Sequence, residues 1–159
     1  NGGFQYAAID YYNSHKACSE KDYPYTARDG SCKESDCTDT TDLSEYTRVH
    51  ITDKNRDATL EGLTHAPASV TVDASSYAFQ SYSSGVLTAD NCGHQLNHAV
   101  LGAGFDVTGS DADSHYILIR NSWGTSWGDA GYIKIGADSS DSRGYCSVLE
   151  DNDYVEFKG

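Results

Sequence analysis

Two short segments of this chain carry residue types that could do chemistry. His98 lies in the run Leu96-Asn97-His98-Ala99-Val100, at the start of an apolar strand. Asn121 opens the run Asn-Ser-Trp-Gly-Thr-Ser-Trp-Gly, which contains both tryptophans of the chain. His98 lies 23 residues before Asn121, and the segment between them reads as a strand, a turn and a second strand. Because two antiparallel strands joined by a turn place their distant ends side by side, the spacing predicts that these side chains meet.

Such a pair would orient an imidazole for catalysis. A carboxamide oxygen that accepts one ring N–H sets the tautomer and leaves the other nitrogen to face a nucleophile. The ring of Trp123 would keep water from competing for that contact, and the nucleophile suited to this arrangement is a thiolate held by an imidazolium. The alternatives are a satisfied rim histidine and a structural turn with packed indoles, but neither accounts for Asn121 at the mouth of the turn.

The elements that must position these residues follow from hydrophobic periodicity. Apolar residues at helical spacing predict helices over 4–15 and 57–65, and residues 18–45 and 138–142 read as loops. The period then changes to two, which predicts five short strands at 68–73, 98–105, 116–119, 132–135 and 154–157. Short strands at close spacing favour an antiparallel sheet or a small barrel.

The composition excludes some partners. The 159 residues suffice for a domain with a core, and the formal net charge of −13 makes nucleic acid an unsuitable partner. No run of 18 apolar residues occurs, so no membrane-spanning helix is expected. An acidic surface fits work in an acid compartment and equally fits a general need for solubility.

The five cysteines indicate disulfides rather than a metal centre. Their spacing matches no zinc finger, and an odd count implies a bond outside this chain or a free thiol. Cys92, His94 and His98 cluster like ligands, but in an extended segment the two histidines lie roughly 13 Å apart, so no metal is expected. No cofactor is expected either. The chain contains no Asn-x-Ser/Thr sequence, so no Asn-linked glycan is expected.

Taken together, these segments resemble the papain family of cysteine proteases, and the resemblance covers nearly the whole chain. The matching pieces occur in order and are Asn1-Gly2-Gly3 with the following helix, Asp22-Tyr23-Pro24-Tyr25, Ala66-Pro67-Ala68-Ser69-Val70, Asn97-His98-Ala99-Val100 and the Asn-Ser-Trp-Gly run. The resemblance implies an α+β fold in which residues 1–45 form the edge of a helical lobe. Residues 46–159 would form an antiparallel, barrel-like lobe that carries the catalytic His and Asn.

By this resemblance, His98 is the general base and acid, Asn121 its orienting partner and Trp123 the shield. Gly2 and Gly3 would present backbone groups to an extended peptide. The pocket for the second residue before the scissile bond and its surroundings would be lined by Phe4, Ala68, Thr71, Leu96, Asn97 and Asp151. Asp151 at the pocket floor should admit Arg or Lys besides apolar side chains, although it could equally be one of several solvated acids at 150–153.

The family's nucleophile motif of the type Cys-Gly-Ser-Cys-Trp and the preceding oxyanion Gln are not in this sequence. The resemblance therefore implies a C-terminal chain or fragment whose nucleophile lies outside it, and the absence of Met favours cleavage or truncation. It pairs Cys92 with Cys146 and Cys32 with a cysteine outside the chain, which leaves Cys18 and Cys37 to pair with each other.

The implied function is a secreted or lysosomal/vacuolar cysteine endopeptidase that hydrolyses peptide bonds through a thiolate–imidazolium pair. Its partners would be the segment with the nucleophile, joined through Cys32, peptide or protein substrates, and protein inhibitors. A catalytically inactive homologue, kept as a binding or structural protein, would leave every residue named above intact. A stand-alone β-rich binding module is the third reading, and it leaves the spacing of His98, Asn121 and Trp123 unexplained.

Overall fold

The computed structural model describes residues 2–26, 28–89 and 91–158, and Asn1 lies outside them. The chain forms two compact units, one of residues 1–48 with 156–159 and one of residues 49–155. Its helices and strands are α1 Gln5–Tyr11, β1 Lys16–Cys18, β2 Thr40–Asp42, β3 Tyr46–His50, α2 Arg56–His65, β4 Ala68–Val72, α3 Tyr77–Gln80, β5 Val86–Leu87, β6 His98–Asp106, β7 Tyr116–Arg120, β8 Tyr132–Gly136 and β9 Asn152–Phe157. Short 3-10 helices lie at Glu34–Asp36, Ala112–Ser114 and Tyr145–Ser147.

The helix predicted over residues 4–15 ends at Tyr11, earlier than expected. The Ser14 hydroxyl donates to the Tyr11 carbonyl at 3.4 Å, and His15 Nδ1 lies 2.9 Å from the same oxygen. Side chains that bond to the backbone in this way compete with the helical hydrogen bond and favour a turn. β1 then pairs antiparallel with β2 in the N-terminal unit.

The last residues of the chain belong to the N-terminal unit, whereas the sequence placed them in the β-rich lobe. The Lys158 amide donates to the Glu45 carbonyl at 2.7 Å, and its ammonium donates to the Ser44 carbonyl at 2.6 Å. The rings of Tyr46 and Phe157 pack edge to face with centroids 5.5 Å apart. These contacts bring the C-terminus to the segment around residue 45.

The five predicted strands are all present, in a seven-stranded sheet of order β3-β9-β4-β6-β7-β8-β5. β5 runs parallel to β8, whereas the β9–β4, β4–β6, β6–β7 and β7–β8 pairs are antiparallel. Within the described residues β3 and β5 form the two edges, so the sheet is open and the expectation of a barrel is wrong. The parallel edge pair was also not expected, because β5 has only two residues and gives no periodic signal.

The core lies on one face of this sheet and explains the alternating pattern in the sequence. The largest fully buried side chains of the strands are Val70, Val72, Ile117, Ile119, Ile133 and Ile135, and Phe79 of α3 belongs to the same core. Helix α2 adds Leu60 to this core. The helix is capped at its start by the Asn55 side chain, which accepts the Ala58 N–H at 3.0 Å, and it ends before Pro67. Among the described residues, none of the helices has the length and apolar character needed to cross a bilayer.

Candidate active site

The sheet register brings the two chemically important segments together. β6 begins at His98, which pairs with Val72 of β4, and β7 ends at Arg120, which pairs with Leu101 of β6. Because β6 and β7 are antiparallel, the start of one strand lies beside the end of the other. His98 therefore lies next to Asn121, the residue that follows β7.

The side chains of His98 and Asn121 are in direct contact. His98 Nε2 lies 2.8 Å from Asn121 Oδ1, and the Ser122 backbone N–H donates to the same oxygen at 2.7 Å. Because that oxygen only accepts hydrogen bonds, His98 carries a proton on Nε2 and directs Nδ1 elsewhere. Asn121 is itself buried, and its backbone N–H donates to the Gly131 carbonyl at 3.0 Å, so the orienting group is held rigidly.

Trp123 covers this pair with its ring. The His98 and Trp123 rings stack with centroids 5.0 Å apart and an interplanar angle of 26°. The buried Phe79 ring packs edge-on against Trp123 at 5.6 Å, and the Trp127 ring does so at 5.3 Å. Trp123 remains 41% exposed, so it presents one face to solvent while the other faces the imidazole.

The turn between β7 and β8 explains why each tryptophan is followed by glycine. Gly124 and Gly128 adopt positive φ angles of 84° and 62°. A Cβ at Gly128 would also lie 2.5 Å from the Tyr132 carbonyl oxygen, which is backbone and cannot move away. The indole of Trp127 is fixed by its N–H, which donates to the Gln80 carbonyl at 2.9 Å.

Asp73 is a positioning residue that the sequence analysis did not identify. Its buried carboxylate accepts hydrogen bonds from the Ser75 N–H at 2.9 Å, the Gln95 N–H at 2.8 Å and the Asn97 side chain at 3.0 Å. These bonds hold the segment that leads directly into His98. An Asp at the end of an alternating strand and two residues before a Ser was the available signal, since this pattern favours a local turn.

The charge state of Asp73 follows from the same contacts. Burial raises the pKa of the carboxyl, but hydrogen bonds from Ser75, Gln95 and Asn97 outweigh that effect and hold the pKa below its usual value. Asp73 is therefore ionised at neutral pH. Space around it is tight as well, because a Cβ on Gly93 would lie 2.2 Å from Asp73 Oδ2.

Two of the expected substrate-binding residues in this unit are in contact. The Thr71 N–H donates to the Asp151 carbonyl at 3.1 Å, and the Thr71 hydroxyl donates to Asp151 Oδ2 at 3.3 Å. Leu96 is half buried, and the Asn97 side chain is turned towards Asp73 and the Ala74 N–H. Ala68, by contrast, is completely buried in the core and has no accessible surface for a substrate.

The segment around Asp151 is not a run of solvated acids. Asn152 and Asp153 are each only 1% exposed, and Asp153 Oδ1 lies 3.1 Å from His50 Nδ1. Asp151 itself is half buried. The alternative reading of residues 150–153 as a solvated stretch is therefore wrong for Asn152 and Asp153.

The expected peptide-binding residues at the start of the chain lie in the other unit. Gly2 and Gly3 are exposed, and Gly2 adopts a positive φ of 75°. Phe4 is 67% exposed and stacks on Tyr6 with centroids 5.3 Å apart.

The cysteines form two disulfides, Cys18–Cys37 in the N-terminal unit and Cys92–Cys146 in the β-rich unit, and Cys32 is an exposed thiol. The Cys92 sulfur is consequently not available to a metal. In the part of the chain that the structure describes, the ligand atoms of His50, Asp151 and Asp153 lie within 4.8 Å of one another. Two of these residues are joined directly, since His50 Nδ1 lies 3.1 Å from Asp153 Oδ1.

Comparisons with known proteins agree with this geometry. Residues 1–155 match the family described as "Papain family cysteine protease". The chain is 37% identical to vignain from Vigna mungo over 152 residues, which are 93% of this chain and 40% of that protein. It is also 37% identical to digestive cysteine proteinase 2 from Homarus americanus over 156 residues, which are 93% of this chain and 45% of that protein.

The solved structures give the same result for the fold. The bromelain protease from Ananas comosus, solved in complex with an inhibitor, is 34% identical. It superimposes with a TM-score of 0.84 over 98% of this chain and 70% of its own. This likeness confirms the expected papain-like α+β fold, and the chain spans less than half the length of the curated relatives named above. On its sequence, its fold and the meeting of His98 with Asn121, this chain belongs to the papain family of cysteine proteases.

Proposed function

We propose that this chain supplies the histidine and asparagine of the catalytic centre of a papain-like cysteine endopeptidase. The observation that carries the proposal is the 2.8 Å contact between His98 Nε2 and Asn121 Oδ1 beneath the Trp123 ring. That contact leaves the Nδ1 atom of His98 to exchange a proton with a thiol. The thiol belongs to a segment outside this chain, because no cysteine here lies in the family's nucleophile motif.

The reaction proceeds in two stages, and His98 serves in both. His98 takes the thiol proton, and the resulting thiolate attacks the scissile carbonyl to form a tetrahedral oxyanion. The imidazolium then gives its proton to the leaving amine, which produces a thioester. In the second stage His98 takes a proton from water, and the resulting hydroxide adds to the thioester carbonyl. The C–S bond then breaks, which releases the acid and restores the thiolate–imidazolium pair. Asn121 holds the ring in one orientation throughout, so none of these three proton transfers has to wait for ring rotation.

Asp151 is the residue in this chain best suited to set substrate preference. Its carboxylate is half buried and is bonded by Thr71, so it carries a fixed negative charge at one place. Such a group favours Arg or Lys as the second residue before the scissile bond. In this proposal Leu96 and Asn97 line the same region, and Gly2, Gly3 and Phe4 contact the extended substrate chain.

The disulfides support a secreted or lysosomal/vacuolar location, because such bonds persist in oxidising compartments. Cys32 is exposed and can form a disulfide with the segment that carries the nucleophile. Peptide or protein substrates and protein inhibitors would bind the completed cleft.

The test is active-site labelling of a preparation that contains both this chain and the nucleophile segment. Intact mass with and without reduction identifies that segment, and a vinyl-sulfone or epoxide probe then reports a reactive thiolate. We expect labelling in the wild type and its loss in His98→Ala. His94→Gln is the matched control because His94 lies four residues away and bonds to the Ser147 hydroxyl, and it should label normally.

The outcome distinguishes the protease from an inactive homologue. A preparation that contains the complementary segment but takes no label would contradict catalysis and favour a binding or structural role. Equal labelling of His98→Ala and the wild type would remove His98 from the mechanism.

A further inference from the structure

A second histidine, remote from His98 in the fold, has an unusual set of partners. His115 precedes β7, its Nδ1 lies 2.5 Å from Asp138 Oδ2, and its Nε2 lies 2.7 Å from the Gly109 carbonyl oxygen. The side chain is 15% exposed. Asp138 also forms an ion pair with Arg56, in which Nε and Oδ1 lie 2.5 Å apart. One carboxylate thus contacts two cationic side chains.

These contacts require both nitrogens of His115 to carry protons. A carboxylate oxygen and a peptide carbonyl oxygen accept hydrogen bonds and cannot donate them. A neutral imidazole has one N–H and would satisfy only one of the two acceptors. The imidazolium satisfies both, so the geometry alone identifies the charged form.

His94 provides the contrast within the same unit. Its Nδ1 lies 3.1 Å from the Ser147 hydroxyl, and its Nε2 lies 3.4 Å from Asp141 Oδ2. Because a hydroxyl can donate as well as accept, a neutral tautomer of His94 satisfies both partners. His94 therefore does not need the charged form.

The charged groups around His115 are of both signs. Asp138 lies on one side of the ring with Arg56 beyond it, and Asp106 at the end of β6 interacts electrostatically with the ring. Lys134 on β8 interacts in turn with Asp106, and the loop before His115 contributes Asp111 and Asp113. The hydrogen bonds to Gly109 and Asp138 raise the pKa of His115 above its usual value, although burial and Arg56 oppose the change.

The segments joined by these contacts are otherwise distant in the sequence. Gly109 and His115 lie in the loop between β6 and β7, Asp138 lies in the loop after β8, and Arg56 begins α2. The His115 carbonyl also accepts the Ala137 N–H at 3.0 Å, which extends the β7–β8 pairing into both loops.

We propose that His115 is a pH-dependent lock, whose imidazolium joins the 109–115 loop, the 138–142 loop and the start of α2. Deprotonation removes one of the two ring N–H groups. If the Nδ1–H is lost, Asp138 loses its hydrogen bond from His115 and the two loops separate more readily. If the Nε2–H is lost, the loop before β7 loses its internal bond between His115 and the Gly109 carbonyl. The lock is complete at a pH below the ordinary pKa of histidine. It is lost as the pH rises through the raised pKa of His115 in the folded protein.

The direct test is the protonation of the ring nitrogens by ¹⁵N NMR of the whole chain. We expect both nitrogens of His115 to be protonated at about pH 7, where most histidines have largely lost the second proton, and to titrate above the ordinary pKa of histidine. A His115 ring that titrates at or below the ordinary pKa of histidine would overturn the proposal.

A second test reads out the loops themselves. Proteinase K cleavage between residues 138 and 142 is measured at about pH 6 and about pH 9 and normalised to an unstructured peptide at each pH. We expect normalised cleavage of the wild type to rise several-fold at the higher pH. His115→Gln should be cleaved rapidly at both values, whereas the control His15→Gln, in the N-terminal unit, should keep the pH dependence. Equal normalised cleavage of the wild type at the two values would contradict the lock, and the NMR titration remains decisive if His115→Gln does not fold.

Discussion

His98 and Asn121 lie 23 residues apart in the sequence, and their side chains meet at 2.8 Å because β6 begins where β7 ends. The contact depends on a sheet register rather than on a flexible loop. Asn121 is also buried and bonded through its backbone to Gly131. The orientation of the imidazole is thus a property of the folded β-rich unit, and the proposed chemistry follows from it.

Replacing Asn121 with Ala should lower kcat/KM of the complete protease by about 10- to 100-fold. The imidazole loses the acceptor that fixes its orientation, and a hydrogen bond of this kind contributes about 1.5–3 kcal/mol. Steady-state kinetics on a peptide substrate measures the effect. Asn13→Ala, an exposed change in the N-terminal unit, is the control and should be neutral. Unchanged kinetics for Asn121→Ala would contradict the orienting role.

Replacing Trp123 with Ala should reduce kcat/KM by about 2- to 10-fold, because the ring stacked on His98 contributes about 0.5–1.5 kcal/mol. Water would also reach the His98–Asn121 bond. Trp123→Phe keeps an aromatic face and should recover part of the loss. A Phe variant as impaired as the Ala variant would show that the ring stacking is not what matters.

Removing the Cys92–Cys146 disulfide should destabilise the β-rich unit by about 4 kcal/mol in the chain-entropy model, because the bond closes a 54-residue separation. Removing Cys18–Cys37, with a separation of 19, should cost about 3 kcal/mol in the other unit. Urea unfolding of the paired Ala variants measures both values. Cys32→Ala is the control, since its thiol is exposed and unbonded in this chain. An unfolding free energy within error of the wild type for the 92/146 variant would refute the first value.

Replacing Asp151 with Asn should reduce the preference for Arg over Leu at the second residue before the scissile bond by about tenfold, which corresponds to ~1.4 kcal/mol. The change removes the charge and keeps the size of the side chain. Paired substrates that differ only at that residue provide the measurement, with the exposed Asp113→Asn as control. If both variants retain the same Arg-to-Leu ratio as the wild type, Asp151 does not contact that side chain.

Replacing Asp73 with Ala should lower the free energy of unfolding by about 1–3 kcal/mol, because the donors of Ser75, Gln95 and Asn97 lose their acceptor. The pKa of Asp73 in the folded protein is held below its usual value. The contribution of the Asp73 carboxylate to stability is therefore complete above about pH 4. That contribution is lost as the pH falls through the lowered pKa of the folded protein. Unfolding at about pH 7 and about pH 3 should therefore show a larger difference between variant and wild type at the higher pH. The opposite trend would show that Asp73 is not stabilised as a carboxylate.

Several features could be predicted because they depend on local pattern. Strict alternation of apolar residues predicted the central strands, since one face of a sheet must be buried. The glycines after Trp123 and Trp127 indicated a turn, because positive φ angles favour glycine. The family resemblance then joined these segments into one expected site.

Other features depend on contacts that no local pattern contains. The edge strands β3 and β5 are short or partly exposed, so periodicity does not reveal them, and the open sheet could not be told from a barrel. The positioning role of Asp73 depends on Gln95 and Asn97, which lie more than 20 residues away in the sequence and donate hydrogen bonds to it.

The sequence by itself determined the family, the order of the central strands along the chain and the residue types available for catalysis. Only the tertiary structure decided which acids are buried, which nitrogen of His98 faces Asn121, and which loops His115 joins. The physical reason is that burial and hydrogen bonding are set by neighbours distant in sequence, whereas strand and turn propensities are set by adjacent residues.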